Sequence, residues 1–210
     1  MGAKTDTRTL RGQRAGFTVV ELMISSAVFA AVLLVVTVAV LQIGRTYYKG
    51  ITITRNQETT RAVIDEISQA IQFGGEPVFV PGMICAGSKR FSYVLNQPVT
   101  SSTRALMLAE VSSCAGQTQN MTVGRELLGA RMRLAVLDVY ELPDPDPDSD
   151  SQLYRITVRV ATGDNSLLED NLDAAGNPGS DGVLDTCRPV RSGGQFCAAS
   201  ELSTVVQRRL

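Results

Sequence analysis

Residues 17–44 read FTVVELMISSAVFAAVLLVVTVAVLQIG, and this stretch decides the architecture. Its only charged residue is Glu21; from Leu22 to Gly44 there is none. That segment is long enough to cross a bilayer as a helix. Ahead of it, residues 1–16 carry Lys4, Arg8, Arg11 and Arg14 against one acid, Asp6. Basic residues before an uncharged span favour a cytoplasmic N-terminus, with the rest of the chain outside the inner membrane. A secretory signal peptide has an apolar region of about 7–15 residues and a small-residue cleavage site after it. This run is longer, and no such site follows. A plain signal anchor accounts for everything except Glu21.

Glu21 is the informative residue. A carboxylate at mid-bilayer costs about 2.5–3.5 kcal/mol on insertion scales, and less near an interface. Leu22 to Gly44 offers no cation to pair with it. Cleavage after Gly16 would supply one, because Phe17 would then carry a new amine one helical turn before Glu21. That amine can pair with Glu21 of its own chain or of a neighbour, which points to proteolysis followed by helix–helix assembly.

Arg14-Ala15-Gly16-Phe17-Thr18-Val19-Val20-Glu21-Leu22, with its basic leader and long apolar helix, resembles the cleavage and methylation motif of type IV prepilins and type II secretion pseudopilins. The resemblance covers roughly residues 8–45. It implies that a prepilin peptidase cuts after Gly16 and N-methylates Phe17, and that Glu21 guides docking into a filament. The partners it implies are other pilin subunits, that peptidase, an inner-membrane assembly platform and membrane lipid. Many major pilins have a proline about halfway along the apolar helix. Here Leu33 to Leu41 has none, and Val38 stands at the matching position. Proline would remove an i→i−4 bond and favour local melting. Its absence leaves minor pilins and pseudopilins open.

Beyond the span, Val63, Ile64, Ile67, Ala70 and Ile71 recur at helical spacing. Arg61, Asp65, Glu66, Ser68 and Gln69 supply polar faces, and Gly74-Gly75 with Pro77 is a stop signal. One helix over about 18–73 is expected; the alternative is two helices broken between Gly44 and Gly50. Strands are expected at Pro77–Val80, Arg90–Leu95, Ala105–Val111, Arg131–Leu142, Tyr154–Ala161 and Leu202–Leu210, with 120–130 ambiguous. In Tyr154–Ala161, Tyr154, Ile156, Val158 and Val160 share one face and Arg155, Thr157 and Arg159 the other. The fold class is therefore α+β: a long N-terminal helix packed on an antiparallel sheet. The domains read as a leader over 1–16, a membrane or filament-core helix over 17–44 and an extracytoplasmic globular region over 45–210. Residues 143–150, PDPDPDSD, read as an exposed hairpin loop.

Four cysteines, Cys85, Cys114, Cys187 and Cys197, lack CxxC spacing. Three pairings are possible in an oxidising compartment. Cys85–Cys114 and Cys187–Cys197 are favoured, since each brackets one loop-rich region. Family members often close a C-terminal loop with a bridge similar to Cys187–Cys197. Residues 164–185 are rich in oxygen ligands, and Asp164, Asp170, Asp173, Asp181 and Asp185 are calcium candidates. The EF-hand pattern fits no register there, so a solvated loop is the stronger reading.

Composition narrows the function. The 210 residues include no His and no Trp, which excludes His-based triads and His-ligated metals. The formal net charge is −1, with 11 acids against Arg155 and Arg159 between Glu141 and Asp185. Nucleic-acid binding is not expected, despite basic Arg188, Arg191, Arg208 and Arg209. No nucleophile elbow, P-loop or dinucleotide fingerprint occurs, so no enzyme is expected and no cofactor beyond the calcium option. The reading is a minor pilin, processed after Gly16 and assembled through its helix. A type II secretion pseudopilin is the alternative within the family, and an unpolymerised membrane-anchored binding module the alternative outside it. The protein would begin in the inner membrane as a single-pass precursor and end in a periplasmic or cell-surface filament.

Overall fold

A computed structural model describes residues 16–143, 152–173, 175–189 and 193–209. The leader through residue 15, the acidic loop over 144–151 and Arg191 lie outside the described residues. By compactness the chain divides into Met1–Gly44 and Arg45–Leu210.

Helix α1 spans Val19–Gly74. The helix continues through Gly44 and Gly50, so the two-helix alternative does not apply. In the first unit α1 is apolar on every side and exposed on every side. A helix hydrophobic all round belongs in lipid or among other helices. In the second unit the buried residues of α1 are Asn56, Thr60, Val63, Ile64, Ile67, Ser68, Ala70 and Ile71. They form a stripe at i, i+3, i+4 and i+7 spacing. The apolar half of this stripe matches the expected one. Asn56 and Thr60 extend it toward the N-terminus, and Ser68 joins it instead of a polar face. Gly75 follows at φ 94, the left-handed cap that ends many helices.

The first sheet contains β1 Val78–Val80, β2 Met83–Ala86, β3 Lys89–Tyr93, β4 Leu106–Glu110 and β5 Arg125–Glu126. They pair antiparallel in sequence order. The β2–β3 turn brings Gly87 against the end of α1. A Cβ on Gly87, whose φ is 61, would lie 2.4 Å from Gly74 Cα, so this turn requires glycine.

The second sheet has β6 Met132–Leu142, β7 Leu153–Thr162 and β10 Ala198–Gln207, in the order β10-β7-β6. Between them in sequence, β8 Leu168–Glu169 and β9 Thr186–Cys187 make a small ladder. On β7, Tyr154, Ile156, Val158 and Val160 all enter the core. On β6 the register shifts between Leu134 and Val136, so Met132, Leu134 and Leu137 reach the same core. A bulge of this kind interrupts strict alternation, which is why the sequence alternates well only at the start of the strand.

One core joins the α1 stripe to both sheets through Ile84, Phe91, Leu106, Leu134, Ile156 and Val158, among others. The architecture is α+β, as expected. Three expectations change in detail. Strands β2, β8 and β9 went unforeseen, β5 resolves the ambiguous 120–130 stretch as a two-residue strand, and the last strand starts at Ala198 rather than Leu202.

Candidate processing and assembly site

Gly16 and Phe17 precede α1, and Phe17 is 83% exposed. Thr18 is the helix cap. Its backbone N–H donates to Glu21 Oε2 at 2.9 Å and its hydroxyl donates to the same oxygen at 3.0 Å. The Glu21 N–H donates in return to Thr18 Oγ1 at 3.2 Å. This is a capping box: each residue satisfies a backbone donor of the other. The Thr18-x-x-Glu21 spacing is the sequence signal of this box. The relation expected between Phe17 and Glu21 changes accordingly. Phe17 lies before the helix, so the two residues do not share a helical face. The box instead folds the carboxylate back toward the N-terminal end, beside the residue that follows Phe17.

From Leu22 to Gly44 the helix carries no charge. At 1.5 Å per residue that is about 34 Å, against about 30 Å of bilayer hydrocarbon. α1 is the one described helix long and apolar enough to cross a membrane. Within it, Ser26 donates to the Met23 carbonyl and Thr37 to the Leu33 carbonyl, so these hydroxyls are satisfied without leaving the helix.

In the second unit the next stretch of α1 is tied to the C-terminal segment by polar groups. Lys49 Nζ donates to the carbonyls of Gly194 at 3.1 Å and Cys197 at 2.5 Å. The Thr52 hydroxyl donates to the Gln195 carbonyl at 3.0 Å. Asn56 Nδ2 donates to the Val160 carbonyl and to Ser200 Oγ, both at 2.9 Å, and Asn56 Oδ1 accepts from Thr162 Oγ1 at 2.6 Å. Thr60 and Ser200 hydroxyls meet at 2.6 Å. Apolar periodicity gave no sign of these residues because their contribution is polar.

The cysteines form Cys85–Cys114 and Cys187–Cys197, closing separations of 29 and 10 residues. The second bridge fastens β9 to the residue before β10, beside the 3-10 turn Gly194–Phe196 that Lys49 and Thr52 grip.

The calcium candidates do not converge. Asp170 accepts from Ser180 Oγ, Asp181 N and Gly182 N; Asp173 accepts from Asn177 N; Asp181 accepts from Val183 N. Asp185 is buried against Arg159 at 2.9 Å, and Asp164 is exposed elsewhere. Among the described residues no group of three or more acids or cysteines is placed to hold a metal ion. The carboxylates instead organise the loop. The Ser180 hydroxyl holds Asp170, and the Asn177 backbone holds Asp173, below the usual carboxylate pKa. Arg159 also proves not to be a surface base: it is 2% exposed and lies between Asp185 and Glu201.

Comparison with protein families matches residues 11–37 to the prokaryotic N-terminal methylation motif. The match includes Gly16, Phe17, Thr18 and Glu21. No curated protein and no solved structure matches the chain.

Proposed function

From a chain that carries the prepilin-type motif of type IV pilins and pseudopilins, we propose a minor pilin: a structural, non-catalytic subunit processed after Gly16 and polymerised through α1. The motif itself supports a type IV pilin-like or pseudopilin subunit, assembly with other such subunits and processing by a prepilin peptidase. The observation that supports assembly through α1 is the exposed apolar helix of the first unit, opened by the Thr18–Glu21 box.

In the precursor the basic leader holds the N-terminus in the cytoplasm and the helix spans the inner membrane. Cleavage creates a positive amine on Phe17, next to the cap that already directs the Glu21 carboxylate toward it. The amine then pairs with this carboxylate or with that of a neighbouring subunit. Pairing lowers the penalty of an acid in an apolar surrounding. The helix leaves lipid for equivalent helices, with an inner-membrane assembly platform supplying the site of exchange. The region from Arg45 onward ends in the periplasm or on the cell surface. The unbroken α1 and the absence of proline near Val38 favour a minor subunit over a major one.

The test is incorporation of the full chain into filaments in cells with an active prepilin peptidase. Wild-type protein should appear in sheared filament fractions, and Glu21→Ala should remain in the inner membrane. Equal recovery of both in filaments would contradict the assembly role. Retention of wild type in the membrane would favour the unpolymerised anchor.

A further inference from the structure

Strand β6 holds a buried cation with no carboxylate in direct contact among the described residues. Arg133 is 1% exposed. Its Nη1 donates to Asn96 Oδ1 at 3.3 Å, and its Nη2 donates to the Gly163 carbonyl at 3.2 Å and Asn165 Oδ1 at 2.7 Å. Its Nε has no acceptor. All three acceptors are neutral, and no ion pair among the described residues includes Arg133. The contrast is Arg159, buried on the adjacent strand but paired with both Asp185 and Glu201. A buried guanidinium that no carboxylate touches is expensive, and Asp164 across the same cavity offsets that cost only through space.

Arg133 lines a cavity of about 320 Å³ together with Pro98, Thr100, Arg131, Asp164 and Asn165. Arg131 adds a second, exposed cation at this wall. Its φ is 63, and that of Asn96 is 59. These are the non-glycine residues with left-handed backbone among the described residues; Arg131 lines the cavity and Asn96 accepts from Arg133. Asparagine accepts that conformation readily; arginine adopts it at a cost. The Arg131 N–H is held there by the Val99 carbonyl at 2.9 Å. Strain of this kind persists where the surroundings impose it, and it concentrates where ligands are held.

We propose that this cavity binds one carboxylate group, held between the guanidinium groups of Arg131 and Arg133. The charge inventory selects the ligand. Two guanidiniums against Asp164 leave a single positive charge, which a monoanion matches and a phosphate dianion exceeds. A planar guanidinium matches the two oxygens of a carboxylate. Pro98 supplies an apolar wall for the carbon stem behind that group. The same chemistry is carried by an acidic side chain of a neighbouring polypeptide and by a small free organic acid. The site lies within 45–210 and does not depend on how the N-terminal helix is used.

Calorimetric titration of the full chain in detergent micelles, at constant ionic strength, tests this. The probes are N-acetyl-glutamate methylamide, whose only charge is the side-chain carboxylate, then acetate and inorganic phosphate. Saturable binding of a carboxylate, with phosphate weaker, is the expected result. Tighter binding of the glutamate derivative assigns a protein side chain, and tighter binding of acetate assigns a small acid. Arg131→Gly separates binding from folding, because glycine relieves the left-handed strain. This variant should melt no lower than wild type and yet bind the carboxylate about tenfold more weakly or worse. Three results would each overturn the proposal: no saturable carboxylate signal, phosphate bound as tightly as carboxylate, or unchanged carboxylate affinity in Arg131→Gly.

Discussion

Arg159 and Asp185 meet at 2.9 Å with side chains 3% and 1% exposed. Arg159 also reaches Glu201, whose side chain is 43% exposed. The pair joins β7 to the segment leading into β9, beneath the acid-rich excursion of 164–185. Removing one partner of a buried pair destabilises by about 3–5 kcal/mol, because the other charge is left behind. Asp185→Asn should fall toward the lower end of that range, since Glu201 remains. Thermal melting of the full chain in detergent checks it. The double variant Arg159→Met/Asp185→Leu should recover part of the loss.

Asn56 is the polar centre of the docked helix. Asn56→Ala removes a donor from the Val160 carbonyl and from Ser200, and an acceptor from Thr162. A loss of about 1–3 kcal/mol is expected for buried groups deprived of partners. Asn56→Leu should not restore it, although leucine is a better helix former. Chemical denaturation of the two variants decides between polar satisfaction and helix propensity as the source of stability.

The Cys187–Cys197 bridge and Lys49 act on the same turn. Replacing both cysteines by serine should lower stability by about 2–3 kcal/mol from loop entropy. Lys49→Met removes the donor to the Gly194 and Cys197 carbonyls. If the bridge fixes the turn that Lys49 grips, the combined variant should lose less than the sum of its parts. A double-mutant cycle measures that coupling, and strict additivity would separate the two features.

Acid should loosen the second unit. Three carboxylates sit below their ordinary pKa: Glu66 through its bond from Lys89, Asp170 through Ser180, and Asp173 through the Asn177 backbone. A depressed acid contributes stability that is present above its unfolded-state pKa and disappears as pH falls through the folded value. Stability should therefore decline as pH drops below about 4. Asp170→Asn should show a shallower decline over the same range in melting curves recorded against pH. An equal slope would remove Asp170 from the account.

The two halves of the chain were legible for different physical reasons. Residues 17–44 announce themselves by an uncharged run, and the strip from Val63 to Ile71 by its apolar period. β7 alternates cleanly because one face is core. What stayed hidden depends on contacts between distant residues. Arg155, Thr157 and Arg159 alternate alike, yet only Arg159 is buried, because Asp185 and Glu201 return to cover it. Met83–Ala86 is buried at every position and so shows no period. The burial of Arg133 is set by residues distant in sequence, at 96 and 163–165, which no local pattern announces. The Thr18–Glu21 box was local and readable.

The account rests on processing at the Gly16–Phe17 bond. Intact mass and N-terminal peptide mass spectrometry of the protein from cells with an active prepilin peptidase tests this most directly. The account predicts a chain beginning at Phe17 and bearing a methylated amine. A chain that retains residues 1–16 in those cells would contradict it and leave α1 as a plain membrane anchor.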